Sequence, residues 1–354
     1  MTTGNAQVER RAQATQLSKA ARSTLRRTLI ICLALLLALL SAIVITSIIG
    51  SERLPLKSSL CALLTGGSES CGLTSQQQAI LFDIRLPRIL LAAAVGASLA
   101  AAGAAYQALL RNPLAEPYLL GVSNGAAVGT MIALVFFGAH AWSRPVMAFA
   151  GALAATFAVY QLARGRAGAT PERLILAGVI VTTFLSSAIV FITTMMDATR
   201  IRSFTFWLLG DLSGISKGMM AMAMAAALIG TIALAVNARS LNLLMLGERD
   251  AFDLGVEVAR VRLLVFLAAS LLVGASVASS GSVGYVGLVV PHLVRLSIGG
   301  DNRAVIPASA LSGGLFVIVA DTIARTIITP RELPVGAITA LIGAPLFIYL
   351  LRRG

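Results

Sequence analysis

The chain has 354 residues, of which 57% are hydrophobic and 12% are charged. A typical soluble domain is about half apolar and about a quarter charged, so this composition excludes an ordinary soluble domain and indicates a polytopic membrane protein. The net charge of +13 would suggest nucleic-acid binding in a soluble protein, but in a membrane protein an excess of Lys and Arg reports topology. We therefore expect membrane lipid, and no nucleic acid, around this chain.

The apolar runs predict an all-α fold. A bilayer-spanning helix takes roughly 20 apolar residues, so about ten such helices leave no room for a large soluble domain. Residues 1–27 form a polar tail, predicted to be cytoplasmic, and residues 28–354 form one transmembrane domain. The first apolar run is longer than the core of a signal peptide, so we expect it to be retained. The predicted spans are 28–50, 88–110, 118–138, 145–163, 173–195, 217–236, 262–280, 284–298, 305–323 and 334–351.

Lys and Arg are unevenly divided between the two sides of these spans. With both termini on one side, that side holds 18 of the 28 Lys and Arg residues and the other side holds 10. Short loops rich in Lys and Arg stay in the cytoplasm, so both termini are predicted to be cytoplasmic.

Two cysteines, Cys61 and Cys71, flank a short polar stretch after the first span. The predicted orientation places them outside, where oxidising conditions permit a disulfide. Two free thiols in a loop fit the sequence equally well.

Regularly spaced glycines predict close helix packing. Gly121, Gly125 and Gly129 recur every fourth residue, and Gly96 and Gly103 lie in the second predicted span. Small residues on one helix face let a neighbouring backbone approach closely.

The residue types needed for common catalytic sites are scarce. His140 and His292 are the only histidines, and none of the three lysines follows a glycine, so the sequence contains no zinc-protease motif and no phosphate-binding P-loop. We expect this chain to be no enzyme and to bind no cofactor or metal. Asp321 is the deepest acidic residue in any predicted span. An ion-coupled carrier or channel, which would depend on such a group and need no ATPase, is the alternative function.

Ordered motifs run through residues 80–351: Arg85-Leu-Pro-Arg88, Arg111-Asn-Pro-Leu-Ala-Glu-Pro117, Leu246-Gly247 through Leu254-Gly255, Pro291-His-Leu-Val-Arg295, Ala320-Asp321-x-x-Ala324-Arg325 and Glu332-Leu-Pro-Val-Gly336. With these motifs the chain resembles the FecCD-type permeases of binding-protein-dependent ABC importers for iron–siderophores, haem and vitamin B12.

The resemblance implies the type II ABC importer permease architecture in a bacterial cytoplasmic membrane. It also implies a homodimer or paired permease with the path at its axis, cytoplasmic ATPase subunits that use ATP and Mg, and an extracytoplasmic substrate-binding protein. A ferric siderophore is the expected cargo, and haem and cobalamin stay open.

The resemblance also assigns roles to individual residues. Arg85, Arg88 and Arg325 would dock the binding protein, although arginines at helix ends also snorkel to the membrane surface. Asn112 and Leu114 would belong to the cytoplasmic gate. Residues 241–260 would contact the ATPase through short surface helices, and a solvated loop is the alternative. The coupling residues implied there are Gly247, Glu248, Ala251, Leu254 and Gly255.

Two further groups have open interpretations. Hydroxyl side chains in the fifth span could line the path, although hydrogen bonding between helices would use the same residues. The aromatic residues after that span predict an interfacial belt, while the resemblance allows a short re-entrant helix there. The hydroxyl residues are Thr182, Thr183, Ser186 and Ser187, and the aromatic residues are Phe204, Phe206 and Trp207.

Overall fold

The computed structural model describes residues 26–50, 52, 54–66, 71–137, 142–165, 168–214, 216–328 and 331–353. Nearly all of the predicted tail, 1–27, lies outside these residues. Within them the fold is helical apart from one short antiparallel pair of strands, β1 (Arg164–Gly165) and β2 (Gly168–Ala169). The predicted all-α class is confirmed.

The helices follow one another in a bundle with short connections. They are α1 (Arg26–Ile48), α2 (Leu56–Thr65), α3 (Ser75–Ala79), α4 (Leu86–Leu109), α5 (Val122–Ile132), α6 (Ser143–Ala163), α7 (Pro171–Thr194), α8 (Ala198–Leu208), α9 (Lys217–Val236), α10 (Ala238–Leu246), α11 (Glu248–Asp253), α12 (Val258–Ser280), α13 (Val286–Ile298), α14 (Asn302–Thr326) and α15 (Val335–Arg353).

Seven helices in the described part of the chain are long and apolar enough to cross a membrane: α1, the continuous stretch from α3 to α4, α6, α7, α9, α12 and α14. The remaining three predicted spans, 118–138, 284–298 and 334–351, correspond to the shorter apolar helices Val122–Phe137, Val286–Ile298 and Val335–Leu350. Every predicted span thus coincides with an apolar helix.

The second span begins earlier than the apolar pattern predicts. A π-helical stretch, Ile80–Arg85, joins α3 to α4, so one helix runs over 35 residues from Ser75 to Leu109. Its first turn is closed by a capping box between Thr74 and Gln77. Because this turn is polar, the hydropathy pattern did not predict that the helix begins at Ser75.

The long helix α4 forms the centre of the molecule. Most of its side chains are buried, and it packs against α9, α12, α13 and α14. A Cβ added at Gly96 would clash with the Gly313 carbonyl, and one added at Gly103 would clash with the Gly287 carbonyl. The predicted role of these glycines in close helix packing is confirmed.

The glycines of α5 differ from the prediction at one position. Gly125 and Gly129 lie against the backbone of α6, as the every-fourth spacing predicts. Gly121 lies instead just before α5, with a positive φ of 75°. Its role is to let the chain turn into the helix, because a left-handed conformation favours glycine.

The bundle has two distinct ends. We call the end that carries α2 and the Cys61–Cys71 bond the disulfide end; this bond forms in the structure. We call the opposite end, which carries α10 and α11, the α11 end. Helix α1 finishes at the disulfide end, where Ile48 contacts Arg85, and α15 begins there. Both described chain ends therefore lie toward the α11 end.

Candidate functional site

A buried ionic cluster lies at the disulfide end, where the start of α4 meets the last turns of α14. The Arg88 guanidinium contacts the Asp321 carboxylate at 2.9 Å and the Glu332 carboxylate at 2.6 Å. Arg325 contacts the same Asp321 carboxylate at 3.1 Å. Asp321 is only 1% exposed. Because two guanidiniums flank it, the Asp321 carboxylate is already paired, which disfavours an ion-coupling role for this residue.

Arg85 binds the end of α1. Its guanidinium donates hydrogen bonds to the carbonyls of Ser47, Ile48 and Glu52 over 3.2, 3.0 and 2.6 Å. The last carbonyls of a helix have no donor within the helix, and the buried Arg85 satisfies two of them. It thereby ties α1 to the start of α4.

The structure therefore brings all three predicted docking arginines, Arg85, Arg88 and Arg325, to one end of the molecule. Each is buried: Arg85 is hydrogen-bonded to α1, and Arg88 and Arg325 form ion pairs with Asp321. Their role in docking stays a prediction. The one member of the ionic cluster with substantial solvent access is Glu332, whose side chain is 52% exposed. Its place in the last motif was the only signal for it in the sequence.

The turn that holds the predicted gate residues lies at the α11 end, between α4 and α5. The Asn112 side chain accepts a hydrogen bond from the Leu114 N–H over 2.9 Å, which shapes the turn. Leu114 itself is exposed. Asn112 therefore has a local structural contact, and Leu114 presents an apolar side chain at the surface.

The same turn is tied to the segment that precedes α13. The Tyr285 N–H donates to the Glu116 carboxylate over 3.1 Å, and the Tyr118 hydroxyl bonds to both backbone groups of Val283. Burial raises the pKa of the Glu116 carboxyl above its usual range, while the Tyr285 N–H acts in the opposite direction. Tyr285 adopts a positive φ of 66°, which is uncommon outside glycine. Sequence reasoning assigned no role to these contacts.

Residues 241–260 form two short helices, as predicted, in place of a loop. Helix α10 ends at Gly247, which has a φ of 145°, and α11 is followed by Gly255, which has a φ of 84°. Ala251 is fully buried, whereas Leu254 is 62% exposed. Phe252, at 71%, and Leu246, at 67%, are exposed beside it. We call these three exposed apolar residues, Leu246, Phe252 and Leu254, the α11 patch. The motif included Leu246 and Leu254, but the resemblance implied a coupling role only for Leu254.

Glu248 holds α11 against the bundle. Its carboxylate pairs with the buried guanidinium of Arg262 and lies 3.8 Å from Arg111. Arg262 also donates to the carbonyl of Ala169 in β2. The Glu248 carboxylate therefore joins α11 to α12 and to the turn after α4.

Helix α10 is fastened to the start of α14. The Asn242 amide donates to the Asp301 carboxylate over 2.6 Å and accepts from the Asn302 N–H over 2.8 Å. Burial by itself would raise the pKa of Asp301, but hydrogen bonds from Arg303 and Asn242 outweigh it, so the pKa lies below its usual range. A displacement of α10 would thus be transmitted to a membrane helix.

The four predicted path residues lie along α7, which is mostly exposed in this chain. Thr183 and Ser187 donate to backbone carbonyls one turn earlier, and Asn124 of α5 contacts Thr182 and Ser186. Helix-to-helix hydrogen bonding therefore accounts for part of this group. Thr183, Ser186 and Ser187 nevertheless remain exposed, and the path role stays a prediction.

The aromatic residues after α7 lie in a separate short helix, α8. Phe204 is buried and stacks on Trp207, with ring centroids 6.2 Å apart, while Phe206 is exposed. A short helix is found here, and both the interfacial belt and the re-entrant position stay predictions.

Among the residues that the structure describes, no group of three or more His, Cys, Asp or Glu side chains is placed to hold a metal ion. The expectation that this chain binds no cofactor stays a prediction.

Comparison with known proteins gives a consistent result. The sequence model of the FecCD transport family matches residues 33–353. The cobalamin import system permease protein BtuC of Halobacterium salinarum is 44% identical over 281 residues, which is 79% of this chain and 75% of that protein. The hemin transport system permease protein HmuU of Yersinia pestis is 42% identical, covering 77% of this chain and 83% of the relative. The Fe(3+)-citrate import system permease protein YfmD of Bacillus subtilis is 41% identical, covering 79% and 83%.

The fold is also similar to a solved structure. An ABC transporter assigned to the metal-chelate type, in an inward-facing conformation, superposes with a TM-score of 0.81 at 32% identity. The match covers 92% of this chain and 99% of the solved chain.

Proposed function

The chain belongs to the FecCD transport family, and from this premise we propose that it is the permease subunit of an ABC importer for a metal chelate. The relatives named above carry cobalamin, hemin and ferric citrate in their names. In each of these cargoes an organic ligand encloses a metal ion. We propose a ferric siderophore as the cargo of this chain, with haem and cobalamin as the other chelates to be tested.

The α11 patch is the observation that carries the proposal. It presents three large apolar side chains: Leu246 at the end of α10, Phe252 on α11 and Leu254 directly after α11. Glu248, Ala251 and Asn242 hold the two helices to the bundle. Exposed apolar surface on an anchored helix pair suits a protein partner. We assign a separate ATPase subunit to this surface, with both termini of the chain on the same, cytoplasmic side.

We propose the remaining partners for the disulfide end and for one face of the molecule. A substrate-binding protein would dock at the disulfide end, opposite the ATPase. A second copy of the chain would cover the exposed hydroxyl-bearing face of α7, so that the path runs between the copies. ATP binding to the ATPase would favour one of two conformations, because a ligand shifts a population only through unequal affinity for the two states.

Substitutions in the α11 patch test the ATPase assignment. Phe252→Asp and Leu254→Asp place charges where the partner needs apolar surface, so each should weaken ATPase association about ten-fold or more in copurification. Leu64→Asp places the same charge on an exposed apolar side chain of α2 at the opposite, disulfide end; it serves as the matched control and should leave association unchanged. Normal ATPase association of both aspartate variants would overturn the assignment.

A further inference from the structure

A groove opens at the disulfide end between α6, α8, α9 and α12. Its upper part has a volume of about 540 Å³ and is lined by Arg144 at the start of α6 and by Arg202 of α8, together with hydroxyls such as those of Thr199 and Ser203. Asp211 also borders it, but its carboxylate accepts the N–H and the hydroxyl of Ser213 over 2.8 and 2.6 Å.

The two arginines are exposed and have no acidic partner within the part of the chain that the structure describes. Arg202 lies 5.8 Å from the centre of the Phe206 ring. Arg200, on the same helix, differs because it pairs with Asp197 at 3.2 Å. The upper part of the groove therefore offers two guanidiniums that are available to an anion.

The lower part of the groove is apolar and has a volume of about 250 Å³. It is continuous with the upper part, since both are lined by Pro145, Met219 and Ala278. Further along α6 and α9 its walls are Val146, Phe149, Met222 and Ala226. Because these residues follow Arg144 and Lys217 into membrane-crossing helices, the apolar part runs from the disulfide end toward the middle of the bilayer.

We propose that this groove binds an anionic phospholipid from the membrane leaflet at the disulfide end. The phosphate would lie on Arg144 and Arg202, whose planar guanidiniums suit bidentate binding of phosphate. One acyl chain would lie in the apolar part, against Val146, Met222 and Ala226. Trp142 at the top of the apolar part fits this depth, because tryptophan favours the level of the lipid headgroups.

The apolar part distinguishes a lipid from a small anion. Free phosphate would use only the two arginines and would leave the lower part of the groove uncovered. A phospholipid satisfies the cationic and the apolar parts together, and it would fill both cavities between these helices. The bound lipid would thus join α8 to the α6, α9 and α12 side of the bundle.

Native mass spectrometry of the purified full chain tests the proposal with phosphatidylglycerol, phosphatidylcholine and inorganic phosphate as probes. We expect retention of phosphatidylglycerol over phosphatidylcholine. Each of the variants Arg144→Gln and Arg202→Gln should lower that retention about five-fold, given the usual gain per cationic residue near anionic lipid. Arg200→Gln on the same helix is the matched control and should retain the lipid normally.

A second variant tests the apolar part independently of the charges. Ala226→Phe fills the groove and should lower phosphatidylglycerol retention several-fold while leaving both arginines in place. Equal retention of the two lipids by the parent chain, or unchanged retention in the arginine variants, would overturn the proposal. Displacement of the lipid by millimolar inorganic phosphate would replace it with a small-anion site, and normal retention by Ala226→Phe would overturn the placement of an acyl chain in the apolar part.

Discussion

Asp321 is the shared anion of the buried ionic cluster. Its carboxylate lies between the guanidiniums of Arg88 and Arg325, and all three groups are buried. Removing one member of a buried ionic group leaves a buried charge without an opposite charge beside it. The stability lost in this way is far larger than the stability that the intact group contributes. The cluster therefore fixes the contact between α4 and α14 once it has formed.

Asp321→Asn should destabilise the chain by about 3–5 kcal/mol, because two buried guanidiniums lose their shared anion. Thermal unfolding of the purified protein in detergent measures this effect. Glu332→Gln is the control: its side chain is half exposed, so the change should cost about 1 kcal/mol or less. An Asp321→Asn variant as stable as the parent would show that the cluster does not hold the two helices together.

The sequence predicted where the docking arginines lie, but not which groups they contact. The motifs located Arg85, Arg88 and Arg325 at one end of the molecule, but not the direction in which their guanidiniums turn. That direction depends on partners far along the chain: Arg88 and Asp321 are separated by 233 positions. Hydropathy and spacing carry no information on such pairings. For the same reason, the pairing of Glu332 with Arg88 and the contact of Glu116 with Tyr285 could not be predicted.

At the scale of elements, close backbone contact between α4 and α14 holds the centre of the bundle. Gly96 and Gly313 face each other there, each within clash distance of the other's carbonyl if a Cβ were present. Membrane helices that meet through small residues gain dispersion contacts that larger side chains would prevent.

Gly96→Ala should therefore destabilise the chain by about 1–3 kcal/mol through overpacking. Gly300→Ala is the matched control, since a Cβ at Gly300 meets no atom within 4 Å, and it should change stability by less than about 0.5 kcal/mol. Thermal unfolding compares the two variants. If Gly96→Ala were as stable as Gly300→Ala, the close contact between α4 and α14 would not be needed for the stability of the bundle.

Elements were predictable from the sequence where apolar runs were long. All ten predicted spans coincide with apolar helices, because burial in lipid demands continuous apolar surface. The polar first turn at Ser75 and the short helices α2 and α8 were missed or left open, since a polar or brief helix depends on capping and tertiary contact. Gly121 was also predicted incorrectly, because its spacing indicated helix packing whereas its backbone forms the turn before α5.

At the scale of the whole molecule, α7 and α9 are both largely exposed, but their surfaces differ. The exposed face of α9 is apolar and suits lipid, with Leu228 among its residues. The exposed face of α7 mixes large apolar side chains with Thr183, Ser186 and Ser187. Hydroxyl groups are expected where helices meet or a path runs, which favours α7 as the face of a second copy.

Cysteine crosslinking tests the arrangement of two copies. With Cys32 replaced by serine, Ser187→Cys should form a covalent dimer on mild oxidation in membranes, because the two α7 helices would meet near the axis. Leu228→Cys on α9 is the control and should remain monomeric. Absence of the Ser187→Cys dimer, or equal dimer formation at both positions, would contradict the proposed axis.

We propose that this chain imports a metal chelate only together with an ATPase and a binding protein. Uptake into proteoliposomes tests it most directly, with the chain reconstituted beside its proposed ATPase and binding protein. Labelled ferric siderophore, haem and cobalamin are offered in parallel. We expect that one of the three chelates accumulates and that its uptake stops when ATP, the ATPase or the binding protein is left out. Accumulation at the same rate without ATP would overturn the importer assignment and identify a channel or an ion-coupled carrier.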